Sequence, residues 1–233
     1  MLTLEEILSR ITLKDTRFKR REYSPEDWKL ETLMNAVKRI GKTIDPRFVI
    51  DKENMLVYNN ICYWVMNDPR FMCYDGKSRT WMQGDTSRGI YLAGNTGTGK
   101  TTAMRILRKM YDLNFFRDQN DTRVTWLEAS AEEICSEYAK EGEITRFKKA
   151  PLLCVQDFGS EPNETLYMGN RLNVMRSILE YRGDHRNLVT MITSNIPIRH
   201  QDIRKLYGDR VASRLVEMCN NIELVGKDRR VER

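Results

Sequence analysis

Residues 94–101 read Gly-Asn-Thr-Gly-Thr-Gly-Lys-Thr, a full fit to the pattern G-x-x-x-x-G-K-[ST]. The chemistry this spacing serves is phosphate binding. Gly94, Gly97 and Gly99 lack a Cβ, so the backbone can curl and aim successive N–H groups at one point. Such a nest at a helix N-terminus holds phosphate oxygens. Lys100 adds a point charge for β- and γ-phosphates, and the Thr101 hydroxyl is placed to ligate Mg²⁺. Asn95, Thr96, Thr98 and Thr102 complete the stretch around this phosphate-binding loop.

Three further groups could act on the same phosphates. The apolar run 152–155 ends in Gln156-Asp157-Phe158-Gly159. An acid at the tip of a buried strand can hold Mg²⁺ through its water or orient an attacking water, and Asp157 is the acid there. A turn aspartate is the plainer reading of the same residue. Thr193-Ser194-Asn195 closes a second apolar run, where the Asn195 amide could position water or touch a γ-phosphate, although Ser-Asn also marks an ordinary turn before Pro197. Arg210 and Arg214 lie four residues apart and share a face if helical. An arginine projected into a neighbouring subunit's site would stabilise transition-state charge.

Elements must position these groups. Residues 89–93 form a short apolar run before the loop, and residues 102–113 place Met104, Leu107 and Met110 at helical spacing after it. Strand, loop and helix in that order is the context the motif needs. Further strands are expected at 124–127, 152–155, 188–193 and 221–225, with helices between them. Ser130-Ala131-Glu132-Glu133 caps one helix. Residues 164–181 read as one long helix. Such alternation implies a parallel sheet covered on both faces, with ligands at the carboxyl ends of its strands.

Residues 1–88 read as helices joined by short loops. Thr3-Leu4-Glu5-Glu6 is a capping-box string, and Ser24-Pro25-Glu26-Asp27 is a helix start. Apolar residues continue from Trp28 to Ile40, and Gly41 is expected to close that helix. A second helix is expected over 51–67, with Val57, Ile61, Trp64 and Val65 as its core face. The domain division is a helical N-terminal region, 1–85, and a domain built around the phosphate-binding loop, 86–233.

The chain of 233 residues carries a net charge of +6, compatible with a polyanionic partner. Basic clusters occur at 17–21, 38–42 and 227–230. No apolar run approaches a bilayer span, and the amphipathic, acid-bearing start is unlike a signal peptide. The five cysteines are scattered without a C-x-x-C pair and only two histidines occur, which argues against zinc and for reduced thiols in a cytoplasmic protein.

The strings GIYLAGNTGTGKTT, PLLCVQDFGSE, TMITSNIP and YGDRVASRL resemble, in order and spacing, the DnaC/IstB-type AAA+ ATPases over roughly residues 86–230. These are bacterial replicative-helicase loaders and ATP-binding transposition helpers. The resemblance implies a five-stranded parallel sheet with the sensor strand between the phosphate-loop strand and the acid-bearing strand. It also implies ATP with Mg²⁺, ring or spiral assembly and ssDNA in a central channel. By the same resemblance Asn195 is sensor 1, Arg214 an arginine finger acting in trans with Arg210 the alternative, and Arg230 a loose match to a sensor-2 arginine. Residues 164–181 fall where the family carries its initiator-type insertion, which makes Arg171 and Arg176 candidate DNA contacts.

One departure stands out. The family's strand usually ends in two acids, the first for the metal and the second as base. Here the first is Gln156, which accepts hydrogen bonds but brings no charge. Nucleotide binding survives this change on the loop backbone and Lys100, while hydrolysis is expected to be weak or Asp157 to shift role. The expected function is a replication ATPase of the helicase-loader kind, partnered by a replicative helicase and ssDNA. A transposition helper partnered by a transposase, or an ATP-driven assembly switch with little hydrolysis, are the alternatives. A small-molecule kinase shares the loop but needs a lid and an acceptor pocket, and the TSN string with its double-arginine helix argues against it.

Overall fold

The computed structural model describes residues 28–230 except 114 and 116. The capping box at residues 3–6, the helix start at 24–27 and the basic cluster at 17–21 lie outside the described residues.

The apolar runs become strands because both of their faces are covered. Strands β3 (Gly89–Ala93) and β8 (Val189–Ser194) are buried at every residue. With β4 (Trp126–Ser130), β5 (Leu152–Phe158) and β9 (Cys219–Glu223) they form one sheet in the order β4-β5-β8-β3-β9. Every pairing in it is parallel. The expected arrangement holds: β8 separates the phosphate-loop strand β3 from the acid-bearing strand β5.

Two apolar layers clamp the sheet. On one face α1 (Leu30–Ile44), α2 (Met55–Val65) and α3 (Lys100–Asp112) pack Val37, Trp64, Met104 and Leu107 against Ile90, Leu92, Cys154 and Ile222. On the other, α4 (Ala131–Glu141), α5 (Thr145–Lys149), α6 (Val174–Gly183) and α7 (Gln201–Met218) cover Tyr91, Leu153, Val155 and Ile192 with Ile134, Phe147, Ile178 and Val211. Burial of such side chains contributes about 1.5–3 kcal/mol each. The box capping α4 forms in both directions: Glu133 N donates to Ser130 Oγ at 3.1 Å, and Ser130 N donates to Glu133 Oε2 at 2.7 Å.

Three local expectations are corrected. Helix α1 does not close at Gly41 but runs on to Ile44. Gly41 is there for packing, since a Cβ would stand 2.1 Å from the Phe48 ring. Residues 72–83, read as helical, form a hairpin of β1 (Met72–Asp75) and β2 (Thr80–Gln83). The Asp75 carboxylate accepts from Lys77 N and Ser78 N and organises its turn, a local bond that competes with helix. The long helix expected over 164–181 is instead a hairpin, β6 (Thr165–Tyr167) and β7 (Asn170–Leu172), followed by α6. Met168 and Gly169 form its two-residue loop with φ of 45° and 86°, the backbone of a tight hairpin turn. Asn173 then caps α6, accepting from Arg176 N at 2.9 Å.

Among the described residues no helix is long and apolar enough to cross a membrane.

Candidate functional site

The carboxyl ends of β3, β5 and β8 converge, and the functional side chains follow from that convergence. After Ala93 the chain leaves β3 and turns into α3 through the phosphate loop. Gly97 and Gly99 take φ of 78° and 101°. A side chain is costly in this left-handed region, which explains glycine at both positions. Gly99 is the residue immediately before α3, so the loop's amides and the helix N-terminus face one cavity of about 270 Å³.

Lys100 is buried at 6% exposure and donates from Nζ to Gly94 O at 2.8 Å, Asn95 O at 2.9 Å and Asn195 Oδ1 at 2.7 Å. All three ammonium protons are therefore held. The bond to Asn195 joins the phosphate loop to the tip of β8 across 95 residues of sequence. Burial pulls the Lys100 pKa below the ordinary lysine value; nearby Asp157 opposes the shift and Arg230 adds to it.

Asp157 reaches the cavity through a break in its strand. The pairing of β5 with β8 slips between Val155 and Phe158, and Asp157 has φ of 53°. Its backbone N–H donates to Thr193 Oγ1 at 3.0 Å, which fixes the acid-bearing tip to β8. Ser194 Oγ donates to Phe158 O at 2.6 Å and ties the same two tips again. Asp157 lines the cavity with Lys100, Thr101, Thr102 and Asn195. Gln156 does not line it; its Nε2 donates to a carboxylate oxygen of Glu128 on β4. The neutral amide at the strand end is thus turned toward a neighbouring acid.

Most of the sequence-expected site residues meet. Thr96, Gly97, Thr98, Gly99, Lys100, Thr101, Thr102, Asp157, Asn195 and Arg230 line one cavity. Gly94 and Asn95 contribute carbonyls to Lys100. Arg210 and Arg214 stand apart from it on α7, which is kinked at Gly208. They do share a face: Arg210 pairs with Asp184 at 2.8 Å and Arg214 with the same carboxylate at 2.6 Å, Arg214 also pairing with Glu217 at 2.8 Å. Arg210 is the more exposed, 58% against 31%. Arg171 sits on β7 beside Glu164, and Arg176 bonds Glu180 within α6.

Sequence reasoning missed one wall. Phe48, Val49, Asn54, Tyr58 and Arg229 line the same cavity as the loop. The Phe48 and Tyr58 rings meet edge to face at 5.3 Å. An apolar, aromatic wall beside a phosphate nest suits a base and its sugar. No local pattern marks these residues, because the wall exists only once α2 is docked on the sheet.

The donor set fits Mg²⁺. It offers hard oxygens only, the Thr101 hydroxyl and the Asp157 carboxylate, and among the described residues no cluster of three or more His, Cys, Asp or Glu could cage a metal alone. Mg²⁺ is bound in this manner, through one or two carboxylates together with substrate phosphates.

Sheet order and loop together are those of a P-loop NTPase-like α/β fold. The chain superposes on a proposed primosome component from Streptococcus pyogenes serotype M3 with a TM-score of 0.52 and 20% identity, over 78% of this chain and 85% of that one. It also matches the DnaC helicase loader (TM-score 0.49, 20% identity, 79% and 96% covered) and AMPPCP-bound DnaA from Aquifex aeolicus (0.47, 18%, 76% and 48%). Neither a protein-family model nor a curated protein sequence matches the chain. The chain shares the fold of the Streptococcus pyogenes primosome component.

Proposed function

We propose that this protein is an ATP-binding AAA+ ATPase acting in DNA replication as a helicase-loader-like factor that engages ssDNA. The observation that carries the nucleotide half is the Lys100–Asn195 bond, which joins phosphate loop and sensor position inside one cavity with Asp157. The replication half rests on the resemblance of the four motifs and on the shared fold.

The chain's own residues divide the work. The amides of 96–101 and the N-terminus of α3 bind the phosphates, and Lys100 exchanges its carbonyl partners for phosphate oxygens. Thr101 and Asp157 would hold Mg²⁺, whose charge neutralises that developing on the phosphates. Asn195 orients the attacking water, and Asp157, the one acid of the β5 tip in the cavity, accepts its proton or holds the metal's water shell. Arg214, or the more exposed Arg210, serves a neighbouring copy once released from Asp184. Arg230 faces the nucleotide from the chain's other end. Residues 45–58, from the 1–85 region, close the nucleoside side of the 86–233 domain.

A second reading, an assembly switch with little hydrolysis, is favoured by the amide of Gln156 turning to Glu128 rather than to the cavity. A transposition helper has the same motifs and differs only in partner. Phosphate release on the purified chain, with and without ssDNA, tests the first reading. Release stimulated by ssDNA supports a loader-like ATPase. ATP-driven oligomerisation without release supports the switch, and stimulation by duplex DNA alone supports the transposition helper.

A further inference from the structure

The segment after β9 is joined to two other parts of the cavity. Leu224 N donates to Ala93 O at 2.8 Å, carrying the strand's bonding one residue past β9. Arg229 then does two things at once. Its backbone N–H donates to Gly97 O, in the middle of the phosphate loop, at 3.0 Å. Its guanidinium grips Asp51 with two bonds, NH1 to Oδ2 at 2.7 Å and NH2 to Oδ1 at 2.9 Å, and lies 3.4 Å from Glu53. Asp51 in turn accepts from Glu53 N at 2.9 Å and Asn54 N at 3.2 Å, which builds the turn leading into α2. One residue therefore connects the phosphate loop, the chain's last described segment and the entry to the helix that carries Tyr58.

Both stretches line the cavity, residues 96–102 from the loop and Phe48, Val49, Asn54 and Tyr58 from the stretch around Asp51, and Arg229 lines it with them. A two-bond guanidinium–carboxylate contact fixes the distance and angle between its partners in a way a single lysine contact cannot.

We propose that the Arg229–Asp51 pair is a latch across the nucleoside side of the cavity, so that nucleotide leaves only when the pair opens. Arg229 is a positioning residue in this role: it holds the two stretches together and sets the rate of exchange rather than the chemistry. The proposal rests on the nucleotide-binding reading above and deepens it. Asp228 packs against Gly97 on the same segment, where a Cβ on the glycine would stand 1.9 Å from Asp228 Oδ1, so the segment follows any movement of the loop.

The test uses the full chain and ADP carrying a methylanthraniloyl fluorophore, chased with excess ADP at low salt. Arg229→Ala and Asp51→Asn should each release the probe about five- to tenfold faster, the effect of losing one charge-assisted two-bond pair. Asp51→Asn keeps an oxygen for the Glu53 and Asn54 amides, so its effect reports the charge and not the turn. Added salt should speed release from the wild type and leave Arg229→Ala unchanged. Wild-type release rates in both single variants would overturn the latch. A nucleotide-free readout separates this inference from the function it rests on. Hydrogen exchange at the Arg229 amide should be slow in the wild type and fast in Asp51→Asn. Slow exchange in both overturns the latch even if nucleotide binds. Failure of the wild type to bind the probe overturns the nucleotide reading, and the latch with it.

Discussion

Two loops of the molecule make opposite use of the same backbone conformation. In the phosphate loop, Gly97 and Gly99 have positive φ and the carbonyls and amides around them turn inward, onto Lys100 and the cavity. In the β6–β7 hairpin, Met168 and Gly169 have positive φ and the turn points outward, leaving Met168 85% exposed with Leu166 exposed beside it. The first loop is held by Lys100, by Arg229 N–H on Gly97 O and by Gly94 N–H on Ser194 O at 3.2 Å. The second is held by its own two short strands and by Tyr167 against Tyr138 of α4, with ring centroids 5.9 Å apart. Positive φ alone therefore does not mark a ligand site. What marks it is convergence: amides, a buried cation and an acid supplied to one cavity by three strands.

That comparison can be broken at the acid first. Asp157→Asn preserves shape and removes the charge, so phosphate release should fall by about 100-fold, within the range for loss of a positioned acid or base, while ATP affinity changes little. An equal loss in affinity, measured by titration, would make Asp157 a binding residue only.

Next in size is the loop's backbone. Gly97→Ala puts a Cβ on a residue with φ of 78° and drives it into Asp228. The expected cost is about 1–3 kcal/mol of local strain, read as a lower melting temperature together with weakened ATP binding. The hairpin control, Gly169→Ala, meets nothing within 4 Å and should leave ATP binding unchanged despite its own positive φ.

A smaller effect concerns pH. Burial lowers the Lys100 pKa in the nucleotide-free protein. Between that lowered value and the ordinary one near 10.4 the unfolded chain binds more protons than the folded one. Stability contributed by this group therefore rises as pH climbs through the folded pKa. ATP affinity moves the other way, falling once Lys100 loses its proton, and at a lower pH than an exposed lysine would require. Titrations of stability and affinity across the alkaline range should show the opposed slopes, and Lys100→Arg, charged throughout, should remove both.

The smallest effect is at the hairpin tip. Asparagine tolerates the left-handed region better than methionine, so Met168→Asn should raise stability by a few tenths of a kcal/mol. It should leave both ATP affinity and phosphate release as they were, the outcome expected of a turn outside the site.

The same contrast explains what was legible in the sequence. The phosphate loop was readable because its function is local: eight consecutive residues supply the curl, the cation and the hydroxyl. Strands β3, β5 and β8 were readable because burial on both faces writes a continuous apolar run. The β6–β7 hairpin was not, because Met168 is no turn residue and the flanking apolar residues also fit a helical spacing. The aromatic wall and the Arg229–Asp51 pair were hidden for a different reason. The pair joins residues 178 apart in sequence, and wall and pair alike depend on the docking of α1 and α2 on the sheet. The Gln156–Glu128 contact, likewise, depends on the neighbouring strand and not on the motif.

The central claim is that Lys100 and the loop around it form a nucleotide site. Titrating the wild type and Lys100→Ala with a fluorescent ATP analogue in Mg²⁺ tests it most directly. The account predicts saturable binding by the wild type and a loss of about 100-fold or more in the variant, in keeping with removal of a buried, charge-assisted contact to phosphate. Equal binding by the two proteins, or none by either, would contradict it.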